Sequence, residues 1–279
     1  MSFKKLLCIC LILILTTALL VGCGEPTENT QTTDDSQNTK DLNQEIKAEK
    51  IELLVSAAAS LTDVLNELGH IYEKENSNIK VNFTYGSSGA LQSQIEEGAP
   101  VDIFLSAAEK QMDALEEGGH IVKDTRKTLL INKVVLITPS NNDLQINDFE
   151  DLKKDEIKKV AIGDPSNVPV GQYSEEIFTN LKLKDSIKEK LIYANDVRTV
   201  LTWVENEEVD CGLVYATDAF TTNKVKIIDE APKGSHKDVS YPVAAIGSSK
   251  NLDASQAFIE FLSNEEAAEV FKKYGFQLN

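Results

Sequence analysis

Apolar residues between positions 51 and 279 follow two spacings, one typical of strands and one typical of helices. The short apolar run 51–55 is followed by apolar residues every three or four positions, at Leu61, Val64, Leu65, Leu68, Ile71 and Tyr72. The second spacing is that of one buried helix face. A strand therefore runs directly into a helix, and this succession recurs along the chain. Such alternation predicts an α/β fold with mostly parallel sheets.

The length of this alternating part predicts two lobes. About 230 folded residues are many for one doubly wound sheet and sufficient for two. One apolar strand gives way to another at Asn132-Lys133, and a polar turn occupies residues 231–234. These signals predict that residues 51–132 plus 229–279 form lobe 1 and residues 133–228 form lobe 2. Lobe 1 is then built from both ends of the folded part.

The first 22 residues have the features of a lipoprotein signal peptide. Two lysines precede an apolar core, and the segment ends in Gly22 immediately before Cys23. We expect cleavage before Cys23 and attachment of lipid to that cysteine; a plain signal peptide or a signal anchor with an incidental cysteine is the alternative. Residues 23–50 are polar and too poor in apolar side chains to fold, so they are interpreted as a flexible tether.

Charge and cysteine content narrow the possible functions. The chain of 279 residues has a formal charge of −17, and its field argues against nucleic acid or an anionic membrane surface as a partner. Removal of the signal peptide leaves Cys23 and Cys211, which excludes a disulfide framework. Cys211 lies in an apolar run and is interpreted as a small core residue. No second apolar stretch approaches the ~20 residues that span a bilayer, so the lipid is the expected membrane attachment.

Four junctions between a predicted strand and a predicted helix could present backbone N–H groups to an anion. The first N–H groups of a helix lack partners and carry the positive end of its dipole. Ser60 is interpreted as a helix N-cap, with Asp63 three residues later as in a capping box. The other junctions are Gly86-Ser87-Ser88-Gly89, Pro169-Val170-Gly171 and Asn195-Asp196-Val197, with Asp196 as an N-cap. Two of the four fall in each predicted lobe, so a shared cleft could hold a small dianion with neutral donors.

Other interpretations of these residues remain open. Each junction taken singly is also explained by ordinary helix capping. The run from Gly86 to Gly89 is one residue short of a nucleophile elbow, and no histidine is placed to act as the base that a hydrolase using Ser60 or Ser88 would need. The three histidines of the sequence are interpreted as surface residues: His70, His120 and His236. No metal-ligand spacing is present in the sequence.

Several motifs, in order, resemble the molybdate-binding proteins of bacterial ABC importers. They are Ala57-Ala58-Ala59-Ser60-Leu61, Ser87-Ser88, Gly98-Ala99-Pro100, Gly163-Asp164-Pro165, Asp196-Val197-Arg198, Gly212-Leu213-Val214-Tyr215, Tyr241-Pro242-Val243 and Phe271-Lys272-Lys273-Tyr274-Gly275-Phe276. The resemblance extends over residues 51–279. It implies a two-lobed periplasmic binding protein fold (type II), with a ligand cleft between the lobes and an oxyanion held by uncharged groups.

The resemblance also implies the ligand contacts. They are the hydroxyls of Ser60 and Ser88, the backbone amides of Ser60, Ser88, Val170 and Val197, and the phenol of Tyr215. Tyr215 is expected at a half-buried strand end. The implied ligand is molybdate or tungstate, with no further cofactor.

The resemblance finally implies a place and a role in the cell. We expect a monomeric, non-enzymatic, lipid-anchored binding protein at the outer face of the cytoplasmic membrane of a Gram-positive bacterium, which delivers its ligand to an ABC transporter permease. A binder of another oxyanion, such as sulfate, with the same fold is the nearest alternative. A serine hydrolase and an adhesive lipoprotein are alternatives of other classes.

Overall fold

A computed structural model describes residues 50–279, whose strands form two sheets. The predicted signal peptide, Cys23 and all of the predicted tether except its last residue lie outside the described residues. The strands are β1 Ile51–Ala58, β2 Ile79–Gly86, β3 Ile103–Leu105, β4 Lys127–Asn132, β5 Val134–Pro139, β6 Val160–Gly163, β7 Leu191–Ala194, β8 Cys211–Tyr215, β9 Val225–Glu230, β10 Val239–Ala245 and β11 Gln277–Leu278.

Helices cover the sheets and connect most of their strands. None of the helices among residues 50–279 is long and apolar enough to cross a bilayer. They are α1 Thr62–Glu75, α2 Ser88–Glu96, α3 Glu109–Glu117, α4 Pro169–Asn180, α5 Lys184–Ile187, α6 Val197–Glu205, α7 Ala216–Ala219, α8 Leu252–Phe261 and α9 Glu265–Lys273, with short 3-10 helices at Ala59–Leu61, Lys123–Thr125, Phe149–Lys153 and Lys188–Lys190.

The two sheets take their strands from different parts of the chain. The first has the order β11-β4-β10-β3-β1-β2 and the second the order β7-β6-β8-β5-β9. The second sheet therefore contains consecutive strands, whereas the first contains strands that precede and follow them. We refer to each sheet with its helices as a lobe, lobe 1 around the first sheet and lobe 2 around the second.

The α/β class is confirmed, but the sheets are mixed rather than mostly parallel. Strand β1 pairs in parallel with β2 and β3, and β6 pairs in parallel with β7 and β8. Strand β10 is antiparallel to β3 and β4, and β5 is antiparallel to β8 and β9. A helical crossover returns the chain to the same end of a sheet and gives parallel pairs. Strands that enter a sheet from the other lobe do not arrive through such a crossover.

One predicted helix is partly wrong. The apolar spacing that continues from Ile187 to Leu191 predicts one helix, but the helix ends at Ile187 and a strand begins at Leu191. This strand, β7, forms the edge of the second sheet beside β6. Residues 191–194 form an apolar run of four, which periodicity alone does not distinguish from part of a helix. The middle residues Ile192 and Tyr193 are exposed at the sheet edge.

The predicted apolar faces pack inside the lobes. On α1, Val64, Leu65, Leu68 and Tyr72 are buried, as the helical spacing predicts. Cys211 is fully buried with a free thiol, which confirms its interpretation as a core residue. Burial stabilises such side chains by about 1.5–3 kcal/mol each for residues the size of leucine. These cores hold the strand ends at which the candidate site lies.

Candidate functional site

One cavity brings together the five residues that the sequence predicts as contacts. It lies where strand ends of lobe 1 meet helix starts of lobe 2. The predicted residues in its lining are Ser60, Ser88, Val170, Val197 and Tyr215. The remaining lining residues are mostly small or apolar: Ala58, Ala59, Gly86, Ser87, Ala107, Val168, Pro169 and Asp196.

Three of the predicted residues stand in the first turn of a helix. Ser88 opens α2, Val170 follows Pro169 at the start of α4, and Val197 opens α6. An N–H group in the first turn has no carbonyl partner within its own helix. The positive ends of three helix dipoles, one from lobe 1 and two from lobe 2, thus border one cavity.

Close backbone packing fixes the start of α4. A Cβ atom on Gly171 would overlap the carbonyl oxygen of Gly163, so the helix start lies directly against the end of β6. The N–H of Asp164 donates to the carbonyl of Ala194 at 2.8 Å, and the N–H of Val168 donates to the carbonyl of Asp164 at 2.8 Å. The amide of Val170 is therefore held at a rigid helix start.

Ser60 is not a helix N-cap. It lies within the 3-10 helix Ala59–Leu61, and α1 begins after Leu61 without a side-chain cap. Strand β1 turns into helical backbone before position 60, so the side chain is not available to cap its own helix. The Ser60 hydroxyl instead contacts the Tyr241 hydroxyl, with 3.0 Å between Oγ and Oη. Asp63 closes no capping box; its carboxylate pairs with Arg198 at 2.7 Å.

Asp196 is the N-cap of α6, as the sequence predicts. Its carboxylate accepts hydrogen bonds from the Thr199 N–H at 2.8 Å and from the Thr199 hydroxyl at 3.0 Å. Asp196 is the one charged side chain among the residues described as lining the cavity. Its charge is compensated by the helix end that it caps, so it adds little repulsion toward an anion.

The Ser88 hydroxyl is oriented by a neighbouring amide. Ser88 is fully buried, and its Oγ accepts a hydrogen bond from the N–H of Ala107 at 3.0 Å. A serine hydroxyl has one proton and two lone pairs. Because the amide of Ala107 can only donate, the Ser88 proton is left for another acceptor.

Tyr215 is more deeply buried than the half-buried position expected for it. Its exposed fraction is 1%, because its ring packs edge to face on Tyr241 with 5.9 Å between ring centroids. The phenol oxygen is buried and makes no hydrogen bond to any of the residues 50–279. Burial raises the pKa of Tyr215 well above its usual range, so the phenol keeps its proton. A buried hydroxyl without a partner is costly; an acceptor in the cavity would satisfy it.

Arg198 lies beside the site without lining the cavity. Its guanidinium group contacts Asp63 of lobe 1 and Asp218 of lobe 2, each at 2.7 Å. The contact with Asp63 is a charge-assisted hydrogen bond, whereas the contact with Asp218 is an ion pair without hydrogen-bond geometry. The pair with Asp63 thus joins the two lobes next to the cavity.

Tyr241 and Asn132 were missed as candidates for the site. Tyr241 touches Ser60 although 181 positions separate them in the chain, and Asn132 donates from Nδ2 to the Tyr241 oxygen at 3.2 Å. Local spacing carries no signal for a pairing across such a distance. The available sign was Tyr241-Pro242-Val243 among the motifs of the resemblance, where Tyr241 was given no role in the site.

The chemistry of this cavity suits a small anion. Its lining offers N–H and O–H donors, and it contains no histidine, lysine or arginine among the described residues. Hydrolysis at Ser60 or Ser88 would need a base, but the recorded side-chain contacts of these hydroxyls are a tyrosine hydroxyl and a backbone amide. The arrangement therefore suits the binding of an anion.

Comparison with known proteins assigns the family. Residues 53–277 match the model of the bacterial extracellular solute-binding proteins. The chain belongs to this family. The solute-binding protein is 41% identical over 227 residues to "Putative ABC transporter substrate-binding lipoprotein YvgL" of Bacillus subtilis, which covers 81% of this chain and 86% of that protein. It is 40% identical over 232 residues to the molybdate-binding protein ModA of Haemophilus influenzae, covering 82% of this chain and 91% of that one.

A solved structure supports the fold of this solute-binding protein. The periplasmic molybdate-binding protein of Azotobacter vinelandii superposes with a TM-score of 0.74 at 24% identity, covering 81% of this chain and 99% of that one. Together with the two sheets, this likeness confirms the two-lobed periplasmic binding protein fold.

Proposed function

We propose that this solute-binding protein captures molybdate, and also tungstate, outside the cytoplasmic membrane and delivers it to an ABC import permease. The observation that carries the proposal is the meeting of Ser60, Ser88, Val170, Val197 and Tyr215, from both lobes, on one cavity lined by neutral donors. Relatives at about 40% identity that bear the name molybdate-binding protein support the choice of ligand.

Neutral donors are sufficient to bind a dianion. Hydrogen bonds to a charged group contribute about 1.5–3 kcal/mol each, and each helix dipole adds roughly 0.3–1 kcal/mol or more when partly buried. The net charge of −17 opposes this only weakly, since charges farther away than the Debye length of about 8 Å are largely screened.

Rigid donors provide selection by size. The amide of Val170 is held by the contact between Gly163 and Gly171, and the Ser88 hydroxyl by Ala107. Donors fixed at the spacing of a large tetrahedral ion cannot all follow a smaller one. Sulfate, the main competing ligand of the same class, is therefore expected to bind more weakly than molybdate.

The cellular part of the proposal rests on the N-terminal sequence and on the relatives. Cleavage before Cys23 and lipid attachment to it would hold the monomeric protein at the outer face of the membrane by its tether. One relative at 41% identity carries the word lipoprotein in its name. Metabolic labelling with a palmitate analogue tests this part: label is expected on the wild type and absent from Cys23→Ser, and equal labelling of both would contradict it.

A thermal-shift panel tests the binding function. The full-length protein, purified in mild detergent, is heated with molybdate, tungstate, sulfate, phosphate or chromate. Binding to the folded state raises the melting temperature, by a stabilisation of about 2.7 kcal/mol at a ligand concentration of 100 Kd. We expect large shifts with molybdate and tungstate and smaller ones with sulfate.

Matched variants locate the binding to the cavity. Ser60→Ala and Tyr215→Phe are expected to reduce the molybdate shift. Ser255→Ala and Tyr72→Phe remove the hydroxyls of buried residues that do not line the cavity and should leave the shift unchanged. A clear sulfate shift with none for molybdate would contradict the choice of ligand, and no shift with any oxyanion would contradict the binding function.

A further inference from the structure

We infer that Asn132 and Tyr241 act as positioning residues that orient the Ser60 hydroxyl as a proton donor toward the cavity, so that the site favours fully deprotonated oxyanions. Neither residue lines the cavity. The inference rests on the proposed oxyanion-binding function and adds to it a buried relay of hydrogen bonds behind the ligand contacts.

The relay consists of four buried side chains from both lobes. Asn132 Nδ2 donates to the Thr217 hydroxyl at 2.8 Å and to the Tyr241 hydroxyl at 3.2 Å. The Tyr241 hydroxyl in turn contacts the Ser60 hydroxyl at 3.0 Å. The exposed fractions are 8% for Asn132, 3% for Thr217, 1% for Tyr241 and 3% for Ser60, so water does not compete with these contacts.

A backbone amide fixes the direction of the relay. The N–H of Lys133 donates to Asn132 Oδ1 at 2.9 Å. Because a backbone N–H can only donate, the side-chain oxygen of Asn132 must face it, and the NH₂ group must face Thr217 and Tyr241. The relay therefore begins with a donor whose orientation is set by the chain itself.

The remaining protons follow from this start. The Tyr241 hydroxyl accepts a hydrogen bond from Asn132 Nδ2, and its other hydrogen-bonding partner among residues 50–279 is the Ser60 hydroxyl. Its single proton therefore points to Ser60 Oγ. Ser60 Oγ accepts this hydrogen bond, so the proton of the Ser60 hydroxyl is left for the cavity that Ser60 lines. An unprotonated ligand oxygen can accept a hydrogen bond from the Ser60 hydroxyl. A protonated ligand oxygen would instead bring its own O–H proton against the Ser60 proton, and no hydrogen bond would form.

Packing keeps Tyr241 in place and protonated. Its ring packs edge to face against Phe276, with centroids 5.5 Å apart, and against Tyr215, with centroids 5.9 Å apart. Burial raises the pKa of Tyr241, so the hydroxyl retains the proton that it donates. The phenol thus has a fixed position and one available direction for its hydrogen bond.

A double-mutant cycle tests whether Tyr241 acts through Ser60. The affinity for molybdate is measured by calorimetry for the full-length wild type, Tyr241→Phe, Ser60→Ala and the double variant. We expect Tyr241→Phe to weaken binding about tenfold in the wild type, the effect of one charged hydrogen bond, and to have little further effect in Ser60→Ala. Equal weakening in both backgrounds, or none in the wild type, would overturn the inference.

The selectivity between two oxyanions provides a second measurement, which a purely structural role of Tyr241 would not change. Tyr241→Phe is expected to narrow the ratio between the affinities for molybdate and for hydrogen phosphate, because the freed Ser60 hydroxyl can then accept as well as donate. Tyr72→Phe, a buried tyrosine outside the relay, is the matched control and should change neither affinity. An unchanged ratio in Tyr241→Phe would overturn the inference.

A second variant covers the case in which Tyr241→Phe does not fold. Asn132→Ser removes the amide that sets the direction of the relay and is expected to show a smaller loss of affinity that again disappears in Ser60→Ala. The same loss in both backgrounds would overturn the inference. If wild type bound none of the oxyanions, the proposed function itself would fail, whereas wild-type binding with an additive cycle would contradict only the relay.

Discussion

Gly89 donates its backbone N–H to the carbonyl oxygen of Asn167 at 2.9 Å, which joins the first turn of α2 in lobe 1 to the loop before α4 in lobe 2. A Cβ atom at position 89 would overlap that carbonyl oxygen. The contact lies beside Ser88 and Val168, both in the cavity lining. Glycine at this position therefore permits the close approach of the two lobes around the site.

Gly89→Ala is expected to hinder this approach and weaken ligand binding about tenfold or more. The added methyl group must displace Asn167, which breaks the hydrogen bond between the N–H of residue 89 and the Asn167 carbonyl. The loss of one hydrogen bond accounts for a tenfold loss of affinity. Calorimetry with molybdate measures the effect. Gly247→Ala is the matched control, since the nearest atom to its Cβ lies at an ordinary 3.5 Å. Wild-type affinity in Gly89→Ala would show that the contact is not required for binding.

The ion pair between Asp63 and Arg198 is a second contact between the lobes. It is short, at 2.7 Å, but the Asp63 side chain is 43% exposed, so solvent screens much of its energy. Asp63→Asn is expected to accelerate molybdate release about two- to fivefold, and the effect should shrink at high salt. Rapid-mixing competition with tungstate measures the rate.

A surface ion pair within one lobe provides the control for Asp63→Asn. Glu175 contacts Lys184 at 3.2 Å, and both side chains belong to lobe 2. Glu175→Gln should leave the release rate unchanged, because this pair does not connect the lobes. Equal effects of the two substitutions would mean that the pair between Asp63 and Arg198 has no particular role in holding the lobes together.

Cys211 is predicted to be unreactive in the folded protein. Its side chain is fully buried, and burial raises the pKa of its thiol, so the reactive thiolate is scarce. Iodoacetamide followed by peptide mapping should modify the peptide that contains Cys211 only after denaturation. Modification in the native protein at the rate of a free cysteine would show that β8 opens more readily than its burial indicates.

Much of the site was predictable because its signals are local. The helix start at Ser88, the Pro169-Val170 start and the Asp196 cap each occupy a few consecutive residues, and the structure brings these segments to one cavity. Their contacts to a ligand stay predictions. Helix starts were recognisable from the change in apolar spacing, and their distribution over two predicted lobes indicated a shared cleft, whereas Tyr215 as a contact followed only from the resemblance.

The unpredicted parts depend on contacts between distant segments. The partner of Ser60 is decided by where β10 passes in the first sheet, and the role of Gly89 by the approach of Asn167 from the other lobe. The edge strand that begins at Leu191 is defined by its pairing with β6 rather than by its own composition. No spacing within a short window contains this information.

Asp218 is predicted to make the stability of the protein depend on pH. Burial raises the pKa of this carboxyl to about 6, although its ion pair with Arg198 acts in the opposite direction. In the unfolded chain an aspartate has a pKa of about 3.9. Between these values the folded protein holds a proton that the unfolded chain has lost, so this contribution to stability decreases as the pH rises from about 4 to 6 and is constant above.

Denaturant unfolding of wild type and Asp218→Asn between pH 4.5 and 8 measures this contribution. Their difference in unfolding free energy should fall, on the order of 2 kcal/mol, as the pH rises through the window. Glu67→Gln is the control, because hydrogen bonds from Lys273 and Tyr274 lower the pKa of Glu67, so its contribution to stability is gained below the unfolded pKa of about 4.3 and should change little above pH 4.5. A difference between wild type and Asp218→Asn that does not change with pH would mean that Arg198 keeps Asp218 ionised throughout.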